Sequence, residues 1–176
     1  MFVKGFTLLE LLLTLAVLAV GLNVAVFTNR DFNDRRLFVS DTATVMRALQ
    51  FARTYALLSQ RTVSLCPSAD GLSCNGKNYA DGWLVFSERP ATANATLDVT
   101  DPSERVLSVQ AALSQQIQIV ARNLKHIRFL PNGRSSRAGR LVVCHTSNPL
   151  YRIAAIVTTG GLIRRDTVSD ANGCET

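Results

Sequence analysis

Phe6–Phe27, FTLLELLLTLAVLAVGLNVAVF, is 22 residues of apolar sequence interrupted by a single charge, Glu10. At about 1.5 Å per residue, such a helix is roughly 33 Å long, enough for the ~30 Å hydrocarbon core of a bilayer. Only five residues precede it, Met1-Phe2-Val3-Lys4-Gly5, and they carry one Lys and close on Gly. A secretory signal places its small-residue cleavage site after the apolar run. Here the candidate cut lies before it, between Gly5 and Phe6, so the apolar segment stays in the mature chain.

Glu10 narrows the reading. A carboxylate inside a membrane segment costs about 2.5–3.5 kcal/mol on insertion scales, so it marks a functional position and calls for a partner cation. Cleavage after Gly5 creates such a partner, the new α-amino group of Phe6, four residues from Glu10. Phe6 and Glu10 would then head every subunit of an assembly and pair between neighbouring chains.

Lys4-Gly5-Phe6-Thr7-Leu8-Leu9-Glu10 resembles the class III signal of type IV pilins and type II secretion pseudopilins. The resemblance implies cleavage after Gly5 by a prepilin peptidase, N-methylation of Phe6, and an assembly role for Glu10, the fifth residue after the cut. It also implies a type IV pilin-like α+β fold. In that fold a long helical spine, its N-terminal half transmembrane, packs on a C-terminal antiparallel β domain.

The chain has 176 residues, room for one ordinary globular domain beyond the helix. The net charge is +6, and once Lys4 leaves with the leader, 18 basic residues face 13 acidic ones. Four cysteines, Cys66, Cys74, Cys144 and Cys174, all follow the apolar segment. An even number on the exported side suggests two disulfides in one of three connectivities. Proximity favours Cys66–Cys74, leaving Cys144–Cys174 to tie the C-terminus to a strand.

After Phe27 the interval Asn29–Arg36 is polar but free of Pro and Gly, so a helix can run through it. From Asp41 the helical period returns, with Val45, Ala48, Leu49, Ala52 and Ala56 on one face. The simplest expectation is a single spine over residues 6–60, about 80 Å if straight. This divides the chain into a leader (1–5), a membrane or filament-core helix (6–28), its amphipathic continuation (29–61) and a β domain (62–176). In the last, short apolar runs alternate with turn residues such as Asp81-Gly82, Pro131-Asn132-Gly133 and Gly160-Gly161. They predict eight strands, at 62–66, 82–87, 105–109, 115–121, 126–130, 140–144, 151–157 and 161–164. Spacing this short means hairpins and an antiparallel sheet. Residues 88–102 read as an exposed connection, and the polar tail 166–176 depends on Cys174.

No catalytic constellation is visible. His126 and His145 have no carboxylate motif around them, and the cysteine spacing matches no common zinc pattern. Gly71–Asn78 approaches a P-loop, but Asn78 stands where the metal-binding hydroxyl is needed. A disulfide-closed hairpin loop suits it better. The sequence therefore points away from an enzyme, a metal site and a cofactor.

Charge is the stronger signal. Between Glu104 and Asp166 there is no acidic residue, while ten basic ones occur, nine of them Arg. Arg binds phosphate bidentately and keeps its charge, so a dense acid-free half-domain is the footprint of a polyanion surface. A solvated basic face, anionic lipid, or an acidic neighbouring pilin would account for it as well.

The second half of the chain carries a further resemblance. Phe129–Ser136, the run Leu141–Cys144 and Tyr151-Arg152-Ile153 are similar to the GspH/FimT branch of minor pseudopilins and minor pilins. Within that branch, FimT-type pilins implicated in DNA uptake carry a G-R-x-R motif on a β-turn. Gly161-Leu162-Ile163-Arg164, followed by Arg165, is the counterpart here, with Leu162 in place of the first Arg. Arg134, Arg137 and Arg140, spaced by three, form a second cluster, and Arg152 adds to it.

These residues are the candidate DNA contacts. The resemblance implies a minor pilin processed in the inner membrane, its C-terminal domain periplasmic and then displayed on a pilus at the cell surface. Its partners would be prepilin peptidase, other major and minor pilins, and DNA. It would prime or cap assembly and present DNA during transformation. The competing expectation is a GspH-like pseudopilin of a type II secretion system that binds no DNA.

Overall fold

A computed structural model describes residues 7–88, 103–168 and 171–174, with the side chains of residues 22–31 and 171–172 left out. One α-helix, α1, runs over Leu8–Ser59. The weak polar interval 29–36 does not end it, in keeping with the absence of Pro and Gly there. The chain divides into two compact units, Met1–Leu37 and Phe38–Thr176.

In the first unit the described apolar residues of α1 have no cover. Leu8 is 77% exposed and Val20 67%, with Leu9, Leu11, Leu12, Leu13, Leu15, Val17 and Leu18 similarly bare. Among the described residues, no helix is long and apolar enough to cross a membrane. The expected cut between Gly5 and Phe6 lies outside the described residues, as does part of the expected membrane segment.

In the second unit all eight expected strands form: β1 (Val63–Pro67), β2 (Trp83–Ser87), β3 (Arg105–Gln110), β4 (Ile117–Arg122), β5 (Ile127–Phe129), β6 (Gly139–His145), β7 (Arg152–Val157) and β8 (Ile163–Thr167). They build two antiparallel sheets rather than one, ordered β3-β2-β1-β5 and β4-β6-β7-β8. The strand between β3 and β5, namely β4, leaves the first sheet to pair with β6. Alternation in the sequence reports which residues face inward, but not which sheet a strand joins.

Both sheets pack their inner faces into one core. Leu49, Ala52 and Ala56 of α1, all fully buried, meet Val63, Leu65 and Phe129 of the first sheet and Leu141, Val143 and Val157 of the second. Small residues at 52 and 56 let the helix lie close to the strands, and this is the face the 3.6-residue period marked. Each outer face has its own cover. The loop closed by Cys66–Cys74 lies over Leu84 and Phe86. The tail, through Val168 and the Cys144–Cys174 disulfide, lies over Val120, Val142 and Ala154. Both pairings are those favoured by proximity.

Glu88 departs from the expected exposed connection. It is 1% exposed, accepts from the Ser64 hydroxyl, and forms a bidentate ion pair with Arg128, whose Nε lies 2.8 Å from Oε1. One of the ten basic residues is therefore spent inside the domain, across the outer face of the first sheet. A lone Glu after a strand carries no sign of this, because its partner is 40 residues away in the chain.

The disulfide loop has a polar centre of its own. The exposed Asp70 carboxylate accepts from the backbone N–H of Leu72 and Ser73 at 2.8 and 2.9 Å, and from the hydroxyls of Ser73 and Ser68. The backbone bonds, above all, hold its carboxyl well below the usual carboxylate range. A depressed folded pKa stabilises the fold above the unfolded value of about 4, and the contribution is lost as pH falls below it. We expect the stability advantage of wild type over Asp70→Asn, read from urea midpoints, to be constant at pH 6–8 and to shrink as pH falls below about 4. An advantage independent of pH would show that the carboxylate charge is not what orders the loop.

Candidate nucleic-acid interface

The candidate arginines sit on or beside the second sheet, whose strands fix their relations. Across its outer face, Arg122 of β4 pairs with Arg140 of β6, Arg140 with Ile156 of β7, and Ile156 with Arg164 of β8. Three arginines thus share one cross-strand row. Neighbouring strands lie about 4.8 Å apart, so the row is roughly 14 Å wide. The next row on the same face is apolar, Val120, Val142 and Ala154, and ends at Asp166. Asp166 lies 3.8 Å from the Arg164 guanidinium in an exposed pair, which tempers that end of the row.

Beside the row lies an open groove of about 810 Å³ lined by Arg122, Asn123, Ala138, Arg140, Ile156 and Thr158, among others. Two turns frame this end of the sheet. In the first, Leu130–Ala138, the backbone N–H of Gly133 donates to Leu130 O and that of Leu130 to Arg134 O. Arg134 and Arg137 project from it, both exposed. The second, Thr158–Leu162, closes the β7–β8 hairpin with Gly161 at φ +79°. The turns are tied by Ser135 N–H donating to Thr159 O at 3.1 Å, and Arg53 of α1 donates to Gly133 O, also at 3.1 Å.

The structure therefore brings Arg140 and Arg164 together and places Arg134 and Arg137 on the adjoining turn. Arg152 lies on the same face but four residues down β7 from the row, about 13 Å away. Arg165 pairs with Ala155 and so lies on the face opposite Arg164. Leu162 itself is exposed, and both Gly161 and Leu162 belong to the turn, so β8 starts two residues later than expected. Gly161 is a packing residue. A Cβ there would sit 1.8 Å from Gly133 O. Arg122 was not singled out by the sequence; only the β4–β6 register shows that it stands directly opposite Arg140.

The other assembly candidate, Glu10, sits in the first turn of α1. Its backbone N–H donates to Thr7 Oγ1 at 3.3 Å and Thr7 O at 3.1 Å, so the Thr7 side chain caps the helix and Glu10 stands three residues after it. A carboxylate there also suits the positive end of the helix dipole. Among the described residues no group of three or more His, Cys, Asp or Glu is placed to hold a metal ion.

A helix packed on two antiparallel sheets, with two disulfides pinning their outer faces, defines the class as pilin-like. The family model for the type II transport protein GspH matches residues 41–161, and the chain belongs to that family. Its fold is similar to that of the type IV minor pilin FimU of Pseudomonas aeruginosa strain PAO1. One crystal form gives a TM-score of 0.59 at 16% identity, covering 77% of this chain and 92% of that one. A second form gives 0.55 at 15% identity, covering 73% and 91%. The minor pseudopilin EpsH of the Vibrio cholerae type 2 secretion system aligns with a TM-score of 0.49 at 11% identity, over 74% of this chain and 96% of that one. No curated protein sequence matches the chain.

Proposed function

We propose that this chain is a minor pilin, a non-enzymatic subunit that is held in the inner membrane, cleaved between Gly5 and Phe6, methylated at Phe6, and drawn into a pilus by its N-terminal helix. The observation that carries this is the uncovered apolar surface of α1 from Leu8 to Val20. An apolar surface of this extent needs lipid or other subunits around it. The apolar run Phe6–Phe27 supports lipid first and neighbouring helices later, with Glu10 paired to a neighbour's N-terminus. In the filament the domain would present the row Arg122–Arg140–Arg164 and the turn arginines Arg134 and Arg137 outward, as a surface for the phosphates of DNA.

Phosphate-led binding is salt-dependent, with a slope of about 0.9 per phosphate neutralised on duplex DNA. With the full chain in detergent micelles and a labelled duplex, changing both Arg140 and Arg164 to Ala should lower the slope of log K against log salt by about 1.8. Equal, weak binding by both proteins at moderate salt would sink the DNA reading and leave the assembly reading intact. The GspH family match favours a second reading, a minor pseudopilin of a type II secretion system. Deleting the chain from its host separates the two: loss of surface pili supports the first, and loss of protein secretion with pili intact supports the second.

A further inference from the structure

Just past the apolar run, the interval Asn29–Arg36 carries three arginines, Arg30, Arg35 and Arg36, and two aspartates, Asp31 and Asp34. Its charges nearly balance, but their placement on α1 does not. At about 100° per residue, Phe32, Arg35 and Arg36 share one stripe, at i, i+3 and i+4, while Asp34 falls on the opposite side. Phe32 is 58% exposed and both arginines are exposed, whereas Asp34 is half-buried. The Arg36 guanidinium reaches back one turn and lies over the Phe32 ring, 5.5 Å from its centroid. Among the described residues, neither Arg35 nor Arg36 meets a carboxylate.

A charged stripe on a helix is ordinarily just solvated. What sets this one apart is its distance from Phe27, the end of the apolar run. At a rise of about 1.5 Å per residue, Phe32 lies roughly 7.5 Å past Phe27, and Arg35 and Arg36 roughly 12–14 Å past it. The headgroup layer on each side of the ~30 Å hydrocarbon core is about 5–7 Å thick. With Phe27 at the edge of that core, Phe32 reaches the outer limit of the headgroups and the arginines stand one turn above. Side chains on a helix lean toward its N-terminus, which here means back toward the lipid. The contact of Arg36 with Phe32 shows that lean. An Arg stem lies along apolar surface while its guanidinium donates two parallel N–H bonds to a phosphate.

We propose that Arg35 and Arg36, with Phe32 beneath Arg36, form a binding site for anionic phospholipid headgroups where α1 leaves the bilayer. The inference rests on the membrane-held chain proposed above and adds which lipid that chain gathers around its neck. The Phe32 ring sits among the headgroups, and the two guanidinium groups donate to the phosphate oxygens of a lipid that carries a net negative charge. A zwitterionic lipid brings its own cation beside the phosphate, so it gains much less from the same contacts. The site shares no residue with the arginine row of the second sheet.

The test reconstitutes the full chain in phosphatidylcholine vesicles containing a trace of spin-labelled phosphatidylglycerol or spin-labelled phosphatidylcholine. The immobilised part of the electron paramagnetic resonance spectrum reports how much of each lipid the protein holds. A basic residue near anionic lipid is worth about fivefold in binding. Wild type should therefore hold phosphatidylglycerol over phosphatidylcholine by about fivefold or more, and high salt should lower that preference. Arg35→Gln with Arg36→Gln should bring it toward parity while the chain stays in the vesicles. A double variant that keeps the wild-type preference overturns the proposal, because the selective arginines then lie elsewhere. A wild-type chain that stays in the vesicles through an alkaline carbonate wash but holds both lipids equally overturns this inference alone. A chain that washes off refutes the membrane anchor and this inference with it.

Discussion

Replacing Glu10 with Ala should leave the chain in the membrane and abolish its incorporation into filaments. Two terms of opposite sign separate the steps. Removing a carboxylate from the apolar run relieves about 2.5–3.5 kcal/mol of insertion cost, so membrane retention is unchanged or improved. In an assembly, deleting one partner of a buried ion pair costs about 3–5 kcal/mol, more than a hundredfold in each subunit contact. Glu10 also lies in the first turn of α1, three residues after Thr7, but its bond to Thr7 Oγ1 runs from the backbone N–H and survives the substitution. What Ala gives up there is only the favourable placement of a carboxylate near the positive end of the helix, about 0.3–1 kcal/mol. Glu10→Gln isolates the charge, since Gln keeps the size and hydrogen-bonding reach of Glu without its charge. Both variants should be retained in membranes and absent from sheared filaments on immunoblots. Normal incorporation of the Gln variant would refute the pairing of the Glu10 carboxylate with Phe6.

The second large effect is expected at Gly161, which motif matching places among DNA contacts and the structure places in the packing. Its φ of +79° costs an L-residue about 1–2 kcal/mol. A Cβ would also meet Gly133 O at 1.8 Å, and a backbone oxygen held by Arg53 has no rotamer with which to yield. The Thr158–Leu162 turn must then lift off the Leu130–Ala138 turn, giving up the bond from Ser135 N–H to Thr159 O. Strain and overpacking together amount to about 2–5 kcal/mol. In a domain of this size that lowers Tm by on the order of 10 °C. Arg164→Ala, exposed on β8, should change stability by no more than about 0.5 kcal/mol. A Gly161→Ala protein that melts like wild type would refute the packing role. DNA binding lost in that variant should be interpreted only alongside its melting curve.

The arginine row shows how far a one-dimensional reading reaches. The acid-free interval from Arg105 to Arg165 drew attention to one part of the chain, but it treated ten basic residues alike. Folding sorts them. Arg128 turns inward to Glu88, Arg165 takes the opposite face from Arg164, and Arg152 lies down the strand. Arg122 and Arg140, 18 positions apart, become direct neighbours. Strand alternation predicts the face of a side chain, whereas its neighbours depend on pairing and register, which are long-range. The same limit applies to the division into two sheets and to the burial of Glu88.

Local physics sufficed for a good deal. Periodicity placed the buried stripe Val45–Ala56 on α1, turn residues delimited eight strands to within two or three positions, and cysteine spacing picked out both disulfides. The motif at Lys4–Glu10 and the run Phe129–Ser136 pointed to the pilin-like class that the family match and the fold bear out. All of these depend on residues within a few positions of each other, or on a count. The tertiary structure alone decided that α1 buries against two sheets at once, that Gly161 is held by Gly133, and that one row of arginines borders an open groove. Each of those joins residues distant in the chain through packing and register, and none is encoded in any single stretch. The apolar run Phe6–Phe27 led to the expectation of a helix covered by lipid or by other subunits; which side chains the folded domain sets side by side was decided only where the strands meet.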